Sequence, residues 1–120
     1  MNIIIKILLV VIAFQHLYFL WLEMFVWETT GKKVFRSLPK HLFEPTRQLA
    51  ANQGLYNGFL AAGMIWAVFI SDPHWAINVA VFFLSCVIIA GVFGGYSVDK
   101  KIFLAQGLPA LITLVLLHIL

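Results

Sequence analysis

Four long apolar runs, separated by polar stretches, set the pattern of this chain. They cover about residues 3–26, 45–70, 75–96 and 102–120. Each is close to the roughly 20 residues that a helix needs to cross a hydrocarbon layer about 30 Å thick. The pattern predicts an all-α polytopic membrane protein, a single antiparallel bundle of four transmembrane helices over residues 1–120, with a basic loop at 28–44. The first run could pass for a signal peptide, because Lys6 precedes the apolar residues Ile7 to Phe14. Its apolar character continues past His16 to Val26, and no small-residue cleavage site follows, so it reads as a span.

Polar side chains inside these runs are few and placed in register. In Leu49–Gly63 the helical step of about 100° puts Asn52, Gln53, Tyr56 and Asn57 on one stripe, with Gly54, Gly58 and Ala61 on the other side. Carboxamides within a bilayer need partners, because lipid offers none. In the first run His16 and Glu23 are seven apart and share a face, which Trp27 continues. In the fourth, Gln106-Gly-Leu-Pro-Ala110 contains Pro109, which removes a backbone donor and disturbs the turn before it. Gln106 is placed to satisfy the freed carbonyl or to meet another helix. At about 1.5 Å per residue these groups gather in one layer toward the basic end of the helices. The expected ligand-binding set is therefore His16, Glu23, Asn52, Gln53, Tyr56, Asn57 and Gln106, facing one interior volume open toward the cytoplasm. The plainer alternatives are a packing network, with Glu23 as an interfacial carboxylate and His16 as a neutral, satisfied histidine.

Composition agrees with the pattern: 120 residues, 62% hydrophobic, 11% charged, mean hydropathy +0.98. Soluble domains are nearer 45–50% apolar and about 25% charged. Charge then sets the expected orientation. Of eight Lys and Arg, seven lie between residues 32 and 47 or at Lys100 and Lys101, and only Lys6 lies at the other end. The positive-inside rule places those segments in the cytoplasm and both termini outside, or periplasmic. The basic stretch also carries Val34, Phe35, Leu38, Leu42 and Phe43, so part of it is expected to lie on the membrane surface as a short helix against anionic headgroups. Basic and aromatic residues interleave as they do in nucleic-acid binders, but the lipid partner fits better, and no nucleic acid is expected. Pro45 suits the first turn of the second helix.

The single Cys86 sits within a span and cannot form an intramolecular disulfide. No zinc or iron–sulfur spacing exists, haem is disfavoured by the unequal depths of His16 and His118, and no phosphate loop or nucleophile–base arrangement occurs. Neither a metal nor a cofactor is expected, and no catalytic residue is assigned. Gly54/Gly58 and Gly91/Gly95 form two pairs of small residues four apart. Such pairs let helices approach closely, and one of them is expected to mediate a homodimer.

The stretches His16–Trp27, Leu49–Gly63 and Gln106–Ala110 together resemble the bacterial domain of unknown function 1304 family, and the resemblance covers essentially the whole chain. It implies a small four-helix integral membrane protein and no activity. Three functions stay open. The first is a bundle that binds or transports a lipophilic or cationic small molecule, similar in plan to small multidrug-resistance exporters but without their motifs. The second is an intramembrane enzyme on a lipid-soluble substrate, which the His16/Glu23 pair echoes loosely through the four-helix sterol isomerases. The third is a structural or assembly partner.

Overall fold

The computed structural model describes all 120 residues, and every regular element in it is helical. Helix α1 is Ile3–Phe25, α2 is Thr30–Val34, α3 is Arg47–Phe69 and α4 is Pro73–Ser97. Helix α5 covers Lys100–Ile119 and changes its winding at Phe103–Gly107, which is π-helical. A 3₁₀ turn, Lys40–Leu42, lies between α2 and α3.

Side chains fix where these helices begin. Asn2 Oδ1 accepts from the Ile4 N–H at 2.7 Å and starts α1. Asp72 Oδ1 accepts from the N–H groups of His74 and Trp75 at 2.9 and 3.2 Å, with Pro73 at the first helical position of α4. Asp99 Oδ1 does the same for Lys101 at 3.0 Å and starts α5. These are the orphan donors of a helix N-terminus, and a short carboxylate or amide side chain is the usual acceptor. Helix α3 begins at Arg47, so Pro45 falls in the preceding turn rather than in its first turn. Thr46 holds that turn. Its Oγ1 donates to the Leu42 carbonyl at 2.7 Å and receives the Trp27 Nε1–H at 3.0 Å.

Three helices, α1, α4 and α5, are long and apolar enough to cross a membrane. Helix α3 is as long as α1, 23 residues, but Arg47, Gln48, Asn52, Gln53 and Asn57 lower its hydropathy. It nonetheless packs along α1 more extensively than any other pair of elements. The two run antiparallel. A Cβ on Gly54 would lie 2.8 Å from Met24 Cγ, and one on Gly58 would lie 2.7 Å from Leu20 Cδ1, so advancing along α3 means retreating along α1. Between α4 and α5 the approach is closer still. A Cβ on Gly91 would lie 2.7 Å from both the Cα and the N of Gly107, and one on Gly95 would lie 2.7 Å from Phe103 Cβ. Both small-residue pairs are thus used for close helix contact inside one chain.

The apolar core lies in the half of the molecule away from the basic segment. It is built from Ile5, Leu9 and Ile12 of α1, Ala61 and Met64 of α3, Leu84 and Val87 of α4, and Ala110 of α5. Many large apolar side chains face outward instead. Phe69 is 79% exposed and Phe93 69%, and Phe14, Phe25, Phe59 and Phe82 also project from the helix surfaces. Soluble monomers rarely expose apolar surface on that scale, whereas a membrane protein must. The exposure and the three apolar helices together point to a membrane protein.

The segment after α1 is folded rather than loose. The Trp27 ring packs on Phe35 and Phe43 at centroid distances of 5.4 and 4.7 Å, and Phe43 is fully buried. Gly31 lies against the same ring, where a Cβ would come within 3.2 Å of Trp27 Cε3. The chain between α1 and α3 is therefore wrapped around one tryptophan. Glu28 and Arg47 bridge its two ends at 3.6 Å, both partly solvated, a pair that contributes about 0–1 kcal/mol.

Candidate functional site

Polar groups between the helices come in three separate places. The first lies between α1 and α3. Asn57 is buried on the same stripe of α3 as Ala50, Gly54 and Ala61, the residues that let α1 come close. Its Nδ2 donates to Glu23 Oε1 at 2.5 Å. Glu23 is half-buried, one turn above Phe19, and an amide donor within an apolar contact is what a carboxylate there requires.

The second place is His16, fully buried on α1. Its Nδ1 lies 2.8 Å from the Ile12 carbonyl, which accepts the proton when the ring is neutral. Nε2 is then an acceptor, and it is buried with no hydrogen-bond partner. Phe19 meets the ring edge-on at a centroid distance of 6.0 Å. Seven residues separate His16 from Glu23, and His16 makes no bond to Glu23, Asn57 or any other polar side chain.

The third place joins α1 to α5. Pro109 has no N–H to give the Ala105 carbonyl four residues before it, and its ring crowds that carbonyl. The helix answers with one π turn, in which the Leu108 N–H bonds to the Phe103 carbonyl. The Ala105 carbonyl instead accepts from Gln15 Nε2 of α1. The freed carbonyl was a legible need. Its donor is Gln15 from a neighbouring helix, not Gln106, which is one residue further along the turn.

One shared interior volume is therefore not what forms. Asn52 and Tyr56 lie about 160° around α3 from Gly54, and Asn52, Gln53 and Tyr56 are exposed on the outer surface. The physical reason is that α1 selects the small side of α3, Ala50, Gly54 and Ala61. Asn57 happens to sit at the edge of that side, whereas Asn52 and Tyr56 sit opposite it. His16 and Glu23–Asn57 lie in the α1 packing, and Gln106 turns to a cavity at the basic end.

That cavity was not expected from the stripes. It has a volume of about 510 Å³ and lies between the end of α1, the folded segment after it and the start of α5. Phe19, Trp27, Phe35 and Ile102 form its apolar walls, and Gln106, Arg36, Asp99 and Lys101 stand at its polar side. Its size is within the range of about 300–1,000 Å³ common to small-molecule sites. The sequence signal that could have found it is the apolar spacing of Val34, Phe35 and Leu38 among the basic residues, which gives that segment an inner side. No group of three or more His, Cys, Asp and Glu is placed to hold a metal ion.

Comparison with known proteins adds a family and no chemistry. The sequence model of a family described as "Protein of unknown function (DUF1304)" matches residues 10–118. The chain is similar to "Uncharacterized protein YpaA" of Lactococcus lactis subsp. lactis (strain IL1403), with 32% identity over 117 residues, 96% of this chain and 97% of that one. No solved structure matches.

Proposed function

The chain belongs to the DUF1304 family, and because that family's function is unknown we propose one from the geometry: a four-helix integral membrane protein that binds a lipophilic ligand in the cavity at the basic end. Helix α3 completes the span of α1, α4 and α5, because it is as long as α1, antiparallel to it and packed along it. The molecule is 48 Å long, and a bilayer with its headgroups is about 40–45 Å thick, so both ends reach water. The basic segment and Lys100–Lys101 lie on the cytoplasmic side of a bacterial cell membrane, with both termini outside.

The observation that carries the binding reading is the cavity itself: aromatic and aliphatic walls with charged groups at one side, at headgroup level. The charge of that side favours a neutral or anionic ligand over a cation, since Arg36 and Lys101 outnumber Asp99. Trp27 lines the cavity and supplies the test. In protein with Trp21, Trp66 and Trp75 changed to phenylalanine, the uncharged probe 1-bromododecane should quench Trp27 fluorescence saturably, and excess dodecane should reverse it. Ala105→Phe, which fills the cavity, should abolish the saturable part. Quenching that rises linearly with probe and ignores Ala105→Phe would leave the reading without a site.

A further inference from the structure

We infer that the occupant of this cavity is a single anionic phospholipid, with an acyl chain in the cavity and its phosphate held beside Arg36; this rests on the lipophilic site proposed above. A second, shallower depression adjoins the cavity. It has a volume of about 730 Å³ and is lined by Thr29, Lys32, Lys33, Arg36, Leu38 and Lys40, with no acidic residue among them. Arg36 and Leu38 line both. One molecule with a charged head and an apolar tail can therefore occupy the two at once, and neither a small anion nor a hydrocarbon alone can.

Charge bookkeeping points the same way. The chain has one ion pair, Glu28 with Arg47. Lys32, Lys33, Arg36, Lys40 and Lys101 thus face these two depressions with no carboxylate partner. Asp99, the one acid at the cavity, already accepts the Lys101 N–H as the cap of α5. Arg36 is also pre-set. Its Nε donates to the Lys33 carbonyl at 3.1 Å, which anchors the guanidinium and leaves both Nη groups to grip a phosphate as a fork. A nucleic acid could lie along the basic depression, but it would leave the apolar cavity unfilled. The phospholipid fills both, and it is the anion already present at this level of the membrane.

The test uses the single-Trp27 protein in nanodiscs of phosphatidylcholine. Brominated-chain phosphatidylglycerol should quench Trp27 at a mole fraction about fivefold or more lower than brominated-chain phosphatidylcholine, since one basic residue near an anionic lipid is worth about that factor. Arg36→Gln and Lys101→Gln should each lower the preference, by up to about fivefold. Arg36→Lys should keep part of it, and Lys6→Gln, at the other end, should leave it intact. Equal quenching by the two lipids that Ala105→Phe still abolishes would overturn the anionic lipid while leaving the lipophilic site standing. Loss of all saturable quenching would overturn both. A preference unchanged in Arg36→Gln and Lys101→Gln, or a lipid displaced by inorganic phosphate, would also overturn the assignment, the latter in favour of a small-anion site.

Discussion

Asn57 and Glu23 illustrate what a single polar contact does in an apolar interface. Each would be costly on its own, and together they satisfy one another at 2.5 Å between α1 and α3. Bonds of this kind between membrane helices contribute about 0.6–2 kcal/mol. Asn57→Ala and Glu23→Ala should each lower stability to denaturation by dodecyl sulfate. The double variant should lose less than the two single losses added together, by about 0.6–2 kcal/mol. Glu23→Gln keeps an acceptor for Asn57 and should cost less than Glu23→Ala. Additive losses would mean that the two side chains do not meet in the folded protein. His16 offers a contrast at the same scale. Its Nε2 is buried without a partner, and nothing around it explains what it accepts.

At the scale of the element, α5 is shaped by Pro109 and repaired by α1. The proline removes the donor for the Ala105 carbonyl, one turn unwinds to π, and Gln15 reaches across from α1 to supply the missing N–H. Gln15→Leu should therefore cost about 1 kcal/mol in the natural chain. Restoring the backbone donor with Pro109→Ala should make the same change nearly neutral, and unfolding titrations of the two singles and the double measure the difference. An equal cost in both backgrounds would separate Gln15 from the proline. Much of this was legible in the sequence and some was not. Apolar run lengths gave α1, α4 and α5, and Pro109 marked a defect in α5. The pairing of Gln15 with that defect requires knowing which helices are neighbours, and a hydrophobic stripe carries no such information. The same gap explains Asn52, Gln53 and Tyr56. A polar stripe and a small stripe both compete for the interior, and the small one won because backbones can approach only where side chains are short. The cavity was the least legible feature, because it depends on how residues 28–46 fold around Trp27.

For the whole molecule the strongest asymmetry is electrostatic. Seven of eight basic residues lie at one end, in the folded segment and at the α4–α5 turn. A tag fused after Leu120 should be reachable by a membrane-impermeant reagent from outside intact spheroplasts, with no permeabilisation. A tag reached only after the membrane is opened would invert the molecule and move the cavity to the opposite face. The core and the cavity then occupy opposite halves: alanine-rich packing toward the termini, and a ligand-sized space beneath the basic segment. The packed core and the cavity thus sit at different ends of the same helices.

Helix α3 is the least apolar of the four long helices, and the buried amide it carries finds its partner on the helix made before it. The order of synthesis therefore matters. In a chain inserted as it is made, α1 would enter the bilayer before α3 and offer Glu23 to Asn57 and a surface onto which Gly54 and Gly58 can close. The two would then settle as a hairpin, with the first helix serving as a chaperone for the next, and Asn57→Ala should slow that pairing.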